Sequence, residues 1–178
     1  MNTDKPTVDA ELESIQSDAF RYFLHWTNPQ NGLVLDKTAP NWPASIAATG
    51  LALAVYPVAV ERGFITRAAA IETILATLRF FWNSPQGTEP DATGYHGFYY
   101  HFLDMQTGRR AWQCELSTVD STILLAGALT AGAYLTRIRL RKRKYAPLPT
   151  RSIAALTGDG RKMVALRSRT GGSQKADF

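Results

Sequence analysis

The stretch from about Ala44 to Val60, A-S-I-A-A-T-G-L-A-L-A-V-Y-P-V-A-V, is apolar on nearly every side. A surface helix carries one apolar stripe and one polar face, whereas a helix apolar all round has to pack on more than one neighbour. The rest of the chain must therefore supply those neighbours, and the small Ala residues with Gly50 let them come close. Pro57 is expected to kink this helix or end it early.

The flanking segments have the right pattern. From Val8 to Trp26, residues Leu12, Ile15, Ala19, Tyr22, Phe23 and Trp26 recur at three- and four-residue spacing, which predicts an amphipathic helix with one buried face. Asn-Pro-Gln-Asn-Gly at 28–32 ends it in a turn. Gly63 closes the apolar helix, and Thr66 is a suitable N-cap for the next, about Arg67 to Asn83. That third helix puts Ile71, Ile74, Leu75, Leu78, Phe81 and Trp82 on one face, so helices two and three form an αα-hairpin. Pro85–Thr93 reads as loop.

Gly97–Leu135 is the most informative stretch for chemistry. His96–Asp104 and Ala111–Glu115 flank a Thr107-Gly108 turn and read as a short β-hairpin. Strand alternation would place Tyr99 and His101 on one face and Phe98, Tyr100 and Phe102 on the other. Ser117, with Asp120 three residues on, opens a fourth helix in a capping-box-like pattern. Its Ala126-Gly127-Ala128 and Ala131-Gly132-Ala133 steps permit close helix approach. Val119–Leu135 invites a membrane-spanning reading, but its length rises only roughly 25 Å against a hydrocarbon core of about 30 Å. Asp120 weakens that reading further, so a buried core helix and no membrane are expected.

Charge divides the chain. The overall net charge is +5, yet residues 1–136 hold 8 Lys+Arg against 13 Asp+Glu and residues 137–178 hold 12 against 2. Amphipathic period is lost at the same point. Two domains are expected: 8–136 as the structured part, and 137–178 as a basic, disordered tail. Translation in a shifted frame or a recombination junction would explain such a tail, and resequencing the gene checks it. Taken at face value, Arg137–Lys144 and Arg161–Arg169 could bind nucleic acid or anionic membrane by charge alone, without sequence specificity. The single Cys114 excludes an intrachain disulfide. His25, His96 and His101 have no metal-ligand spacing with it, so no metal is expected. Nor is there a phosphate-binding Gly motif, and no cofactor is expected. The first residues lack a signal-peptide pattern, so the chain as written reads as cytoplasmic.

Eight segments, in order, resemble the bacterial glucoamylase-like family of glycoside hydrolases, whose members include endo-β-1,2-glucanases and the glucoamylase-like region of cyclic β-1,2-glucan synthases. They are S-D-A-F-R-Y-F (17–23), N-P-Q-N-G-L (28–33), A-S-I-A-A-T-G (44–50), V-E-R-G-F-I-T-R (60–67), T-L-R-F-F (77–81), G-F-Y-Y-H-F-L-D-M (97–105), T-G-R-R (107–110) and E-L-S-T-V-D (115–120). The resemblance implies an all-α fold, a partial α/α toroid with about four helices of a six-hairpin barrel, plus the short β-hairpin and the tail. It also implies hydrolysis of β-linked glucan, β-1,2 above all, with the chain as written incomplete and inactive. Many relatives would be periplasmic or secreted. A helical scaffold that binds oligosaccharide without cleaving it is the alternative.

Glycoside hydrolysis ordinarily uses two carboxyl groups, one donating a proton and one acting as base or nucleophile. Glu115 and Asp104 are the catalytic candidates. Glu115 ends the expected return strand beside Trp112, where apolar contact would raise its pKa; otherwise it complements the dipole of the fourth helix. Asp104 could hold a sugar hydroxyl or simply start the turn, and Asp120 suits the N3 position of its own helix. Tyr99, His101, Trp112 and Arg109 are candidate substrate-binding residues, the aromatics offering flat faces to pyranose rings. His101 could equally be scaffold, and Arg109 and Arg110 could anchor a sugar oxygen or simply pair with Asp104 and Glu115. Uncovered apolar faces at Ile71–Trp82 and Ile123–Leu135 would favour self-association.

Overall fold

The computed structural model describes residues 7–143, with side chains to residue 136. Four helices dominate it: α1 (Val8–His25), α2 (Ile46–Glu61), α3 (Arg67–Asn83) and α4 (Thr118–Arg143). Each of the first three starts at a hydroxyl cap: Thr7, Ser45 and Thr66 accept from the backbone N–H of Ala10, Ala48 and Ala69. Such a bond satisfies one of the donors a helix start leaves open.

Helix α2 is the hub, and its main partner is α4. At their crossing Gly50 faces Gly127. A Cβ on Gly50 would lie 2.6 Å from Leu124 Cα, and one on Gly127 would lie 2.0 Å from the Gly50 carbonyl oxygen. Only glycine permits that approach. The second small step of α4 is not used in this way, since nothing lies within 4 Å of a Cβ at Gly132. Helix α4 buries Ser121, Leu124, Gly127, Ala131 and Leu135 along one stripe. Helix α2 carries Pro57 without ending there, and continues to Glu61, contrary to an early stop. It closes in a Schellman motif: Phe64 N–H donates to Ala59 O and Gly63 N–H to Val60 O, with Gly63 at φ +74°.

Three sequence expectations need correction. The apolar stripe of α1 is covered only in part: Val8, Leu12, Ile15 and Trp26 are exposed, while Tyr22 and Phe23 pack against the core and Phe20 enters it against Tyr56 and Phe64. The faces expected bare on α3 and α4 are largely covered, with Ile74, Phe81, Leu124, Ala131 and Leu135 buried and only Trp82 and Leu129 strongly exposed. Helix α4 also runs past Arg137 to Arg143, so irregular chain does not begin at residue 137. Residues 144–178, with most of the expected tail, lie outside the described residues. By length and composition Thr118–Thr136 would suffice to cross a membrane.

The expected hairpin is two small antiparallel sheets. Strand β1 (Ala44–Ser45) pairs with β4 (Phe102–Leu103), Ala44 opposite Leu103. Strand β3 (Phe98–Tyr100) lies between β2 (Gly94–Tyr95) and β5 (Leu116–Ser117), Tyr99 opposite both Gly94 and Ser117. The return segment 111–115 is not a strand, because Trp112 and Gln113 both adopt left-handed backbone, φ +54°. Pairing resumes only at Leu116. Together the sheets hold the ends of α2 and α4 beside the loops that carry the candidate site.

Candidate active site

Two turns are joined at the base of the site. Asn28 and Asn31 both donate through Nδ2 to Met105 O, at 2.7 and 3.0 Å. The Asn-Pro-Gln-Asn-Gly turn thereby fixes the Asp104–Gly108 turn. Asp104 shapes that turn itself: its Oδ1 accepts from Thr107 N at 2.7 Å, Thr107 Oγ1 at 2.8 Å and Gln106 N at 3.1 Å. These bonds, the Thr107 N–H foremost, hold its carboxyl below the usual aspartate range. A groove of about 760 Å³ opens above, lined by Trp26–Gln30, Ala39–Pro43, Asp104–Gln106 and Arg110–Trp112.

Beside the groove a bend at His101 separates β3 from β4 and breaks the strand alternation. Tyr99 consequently goes to the core, 3% exposed, its hydroxyl donating to Phe81 O, and is not a substrate-binding residue in this structure. His101 turns the other way. Its Nδ1 lies 2.7 Å from Glu115 Oε1 and its Nε2 lies 3.4 Å from Asp120 Oδ2. One imidazole thus touches two carboxylates, one 65% exposed and the other 16%. The imidazole stacks on Phe102, centroids 3.9 Å apart, and Phe102 in turn contacts Trp112 at 5.4 Å. Asp120 keeps its structural place as well, its N–H donating to Ser117 Oγ at 3.2 Å.

The hydrogen bond from His101 is the main reason that Glu115 sits below the usual glutamate range, with Arg110 adding a smaller pull. This reverses the expectation that contact with Trp112 would raise it: the carboxyl is exposed and bonded, not desolvated. Arg109 is also corrected. It pairs with Asp91 at 3.1 Å, away from the groove. Arg110 takes the groove position instead, donating to Cys114 O and Gln113 O and lying over Tyr100, 4.2 Å from its centroid.

No family model matches the chain. An exo-β-1,2-glucooligosaccharide sophorohydrolase of Parabacteroides distasonis is 27% identical over 142 residues, 76% of this chain. A β-1,2-glucanase structure from the same organism matches 98% of the chain at a TM-score of 0.70 and 22% identity. An endo-β-1,2-glucanase from Chitinophaga pinensis, solved with sophorotriose and glucose, matches 89% at 0.68 and 17% identity. The chain spans 19%, 24% and 36% of the lengths of these three proteins. The fold is therefore part of the α/α toroid of the β-1,2-glucanases.

Within this glucanase-type toroid segment, the described residues place two kinds of group side by side: an imidazole bonded to carboxylates, and an aromatic-walled groove. Among the described residues no group of three His, Cys, Asp or Glu side chains is arranged to hold a metal. Sequence reasoning missed Trp42, Asn28 and Asn31 as parts of the site. The signal for the asparagines was present in the turn motif, where two Asn flank Pro-Gln, but their partner lies more than seventy residues away.

Proposed function

We propose that this chain contributes to the handling of β-1,2-linked glucan, with Glu115, His101 and Asp120 as its carboxylate–imidazole centre. The observation that carries the reading is the bridging of Glu115 and Asp120 by His101, one aromatic ring away from the groove. An ionised carboxylate beside a pyranose suits stabilisation of an oxocarbenium-like transition state, or activation of water. Glu115, held below its usual range, fits that half of the chemistry. The other half needs a carboxyl kept protonated near neutrality by desolvation. Neither Glu115 nor Asp104 fits it, because hydrogen bonds lower both.

The proton donor is assigned to neither of these two, and the 178-residue chain is expected to bind glucan without cleaving it. The aromatic groove supports that binding role, whether the chain works as a hydrolase part or as a non-catalytic scaffold. Incubating the purified chain with β-1,2-glucan and measuring new reducing ends tests it. Cleavage that disappears in Glu115→Gln would refute the expected inactivity. Self-association is proposed through exposed residues such as Val8, Leu12 and Ile15 on α1; a monomer by light scattering at high concentration would count against it. The nucleic-acid and anionic-membrane alternatives rest on side chains beyond residue 136, outside the described ones.

A further inference from the structure

We infer that the exposed face of α1 around Val8, Leu12 and Ile15 is the docking site for this chain's own basic C-terminal segment, residues 144–178. The inference does not depend on the glucan reading.

Every residue of α1 from Val8 to Gln16 is exposed. A stretch of helix this short is marginal in water unless another element packs on it. Its Thr7 cap and acidic first turn supply only part of what is missing. Val8, Leu12 and Ile15 stand in water at 71%, 51% and 64% exposure, and their four- and three-residue spacing puts them on one side of the helix. Such a stripe is what an apolar partner segment docks on.

The charge beside the stripe selects the partner. Asp9, Glu11, Glu13 and Asp18 lie between Val8 and Phe20, and no Lys or Arg does. Arg21 answers Asp18 at 3.1 Å, whereas Asp9, Glu11 and Glu13 have no ion-pair partner among the described residues. Two α1 helices laid face to face would set these acids against one another, which disfavours a second α1 as the occupant. The face therefore calls for a segment that is both apolar and basic. Residues 144–178 hold 7 Lys+Arg against 2 Asp. Their Ile-Ala-Ala-Leu run at 153–156 has Arg151 beside it, and their Met-Val-Ala-Leu run at 163–166 sits between Lys162 and Arg167.

The connection is short. Near the end of α4 the Tyr134 hydroxyl donates to Glu61 Oε1 at 2.9 Å, and Phe64, just beyond α2, stacks with Phe20 of α1 at 6.2 Å. From Arg143 onward the remaining chain can extend about 120 Å at most, against a length of roughly 27 Å for α1. Tethering gives the segment a high effective concentration at its own α1. At high protein concentration segments exchange between copies, and the self-association proposed above takes that form.

The test is hydrogen exchange of the full chain, read by mass spectrometry over residues 8–16. Protection is expected at low salt and should fall at high salt, as screening weakens the ion pairs. Arg161→Glu with Lys162→Glu and Arg167→Glu alters no residue of α1, and should speed exchange of 8–16 about tenfold or more. Glu11→Lys with Glu13→Lys should do the same, and joining the two sets should restore most of the protection. Amides of α2 and α4 should exchange alike in every variant, which separates undocking from unfolding. Exchange of 8–16 unchanged by the tail substitutions, or not restored in the joined variant, overturns the docking. Protection that appears only where light scattering shows dimers, and that ignores the tail charges, assigns the face to a second α1 and overturns it as well.

Discussion

Consider adding one methyl group at the α2–α4 crossing, Gly127→Ala. The new Cβ would lie 2.0 Å from Gly50 O, 2.8 Å from Gly50 C and 3.1 Å from Gly50 Cα. All three atoms are backbone in the middle of a helix, so no side-chain rotation relieves the clash and the helices must separate. Overpacking of this kind costs about 1–3 kcal/mol, and rigid neighbours put it at the upper end. Alanine returns up to about 1 kcal/mol through helix propensity, so the net loss is about 2 kcal/mol. Gly132→Ala, on the same helix within the same Ala-Gly-Ala pattern, meets nothing within 4 Å and keeps only the propensity gain. The two substitutions should therefore move stability in opposite directions. Urea unfolding followed by circular dichroism measures both, and at roughly 2–4 °C per kcal/mol the melting temperatures should separate clearly. Equal midpoints for the two variants would refute the argument that the Gly50–Gly127 contact sets the helix spacing.

Gly32→Ala should destabilise by about 2–4 kcal/mol in the same urea assay: Gly32 sits at φ +70°, and its Cβ would strike Thr77, backbone included. Asn28→Ala removes a buried side chain that donates to Met105 O and accepts from Gln30 N; a loss of about 1–3 kcal/mol is expected, with faster amide exchange in the 104–108 turn. Asp104 and Glu115 both have folded pKa values below their unfolded ones, so the stability they add is present above the unfolded carboxylate range and is lost as pH falls through the folded values. Melting temperature should therefore decline below about pH 4, and Asp104→Asn should flatten part of that decline. A decline of unchanged slope in Asp104→Asn would count against its role in the turn.

Much of the helical frame was legible because its signals are local. Thr66 and Gly63 announce one start and one stop, and the all-round apolarity of 44–60 required a close partner that α4 supplies. The Gly127 step was legible as a close-approach motif, though nothing in the sequence separated it from Gly132; only the position of α2 does. The strands were misplaced for a physical reason. Each is two or three residues long, and the β1–β4 and β3–β5 pairs join segments far apart in sequence, so alternation has no length over which to assert itself. Trp112-Gln113 carries no glycine to signal positive φ, which hid the turn that delivers the indole. Glu115 was singled out as a carboxylate near an aromatic cluster. Its electrostatic character, however, depends on His101, which the bend at that residue turns out of the strand.

The two asparagine bonds to Met105 close loops of 77 and 74 residues. Helices α1 to α3 and the first groove wall are complete in sequence before Met105 is made, yet the Asn28 and Asn31 amides lack their Met105 partner until it arrives. On a ribosome, therefore, the groove takes shape only after α1 to α3 have been made: a nascent chain halted short of Met105 carries those three helices and an Asn28–Gly32 turn without its Met105 bonds. Limited proteolysis of stalled chains should find that turn open to cleavage until the 104–108 segment has emerged, and protected afterwards.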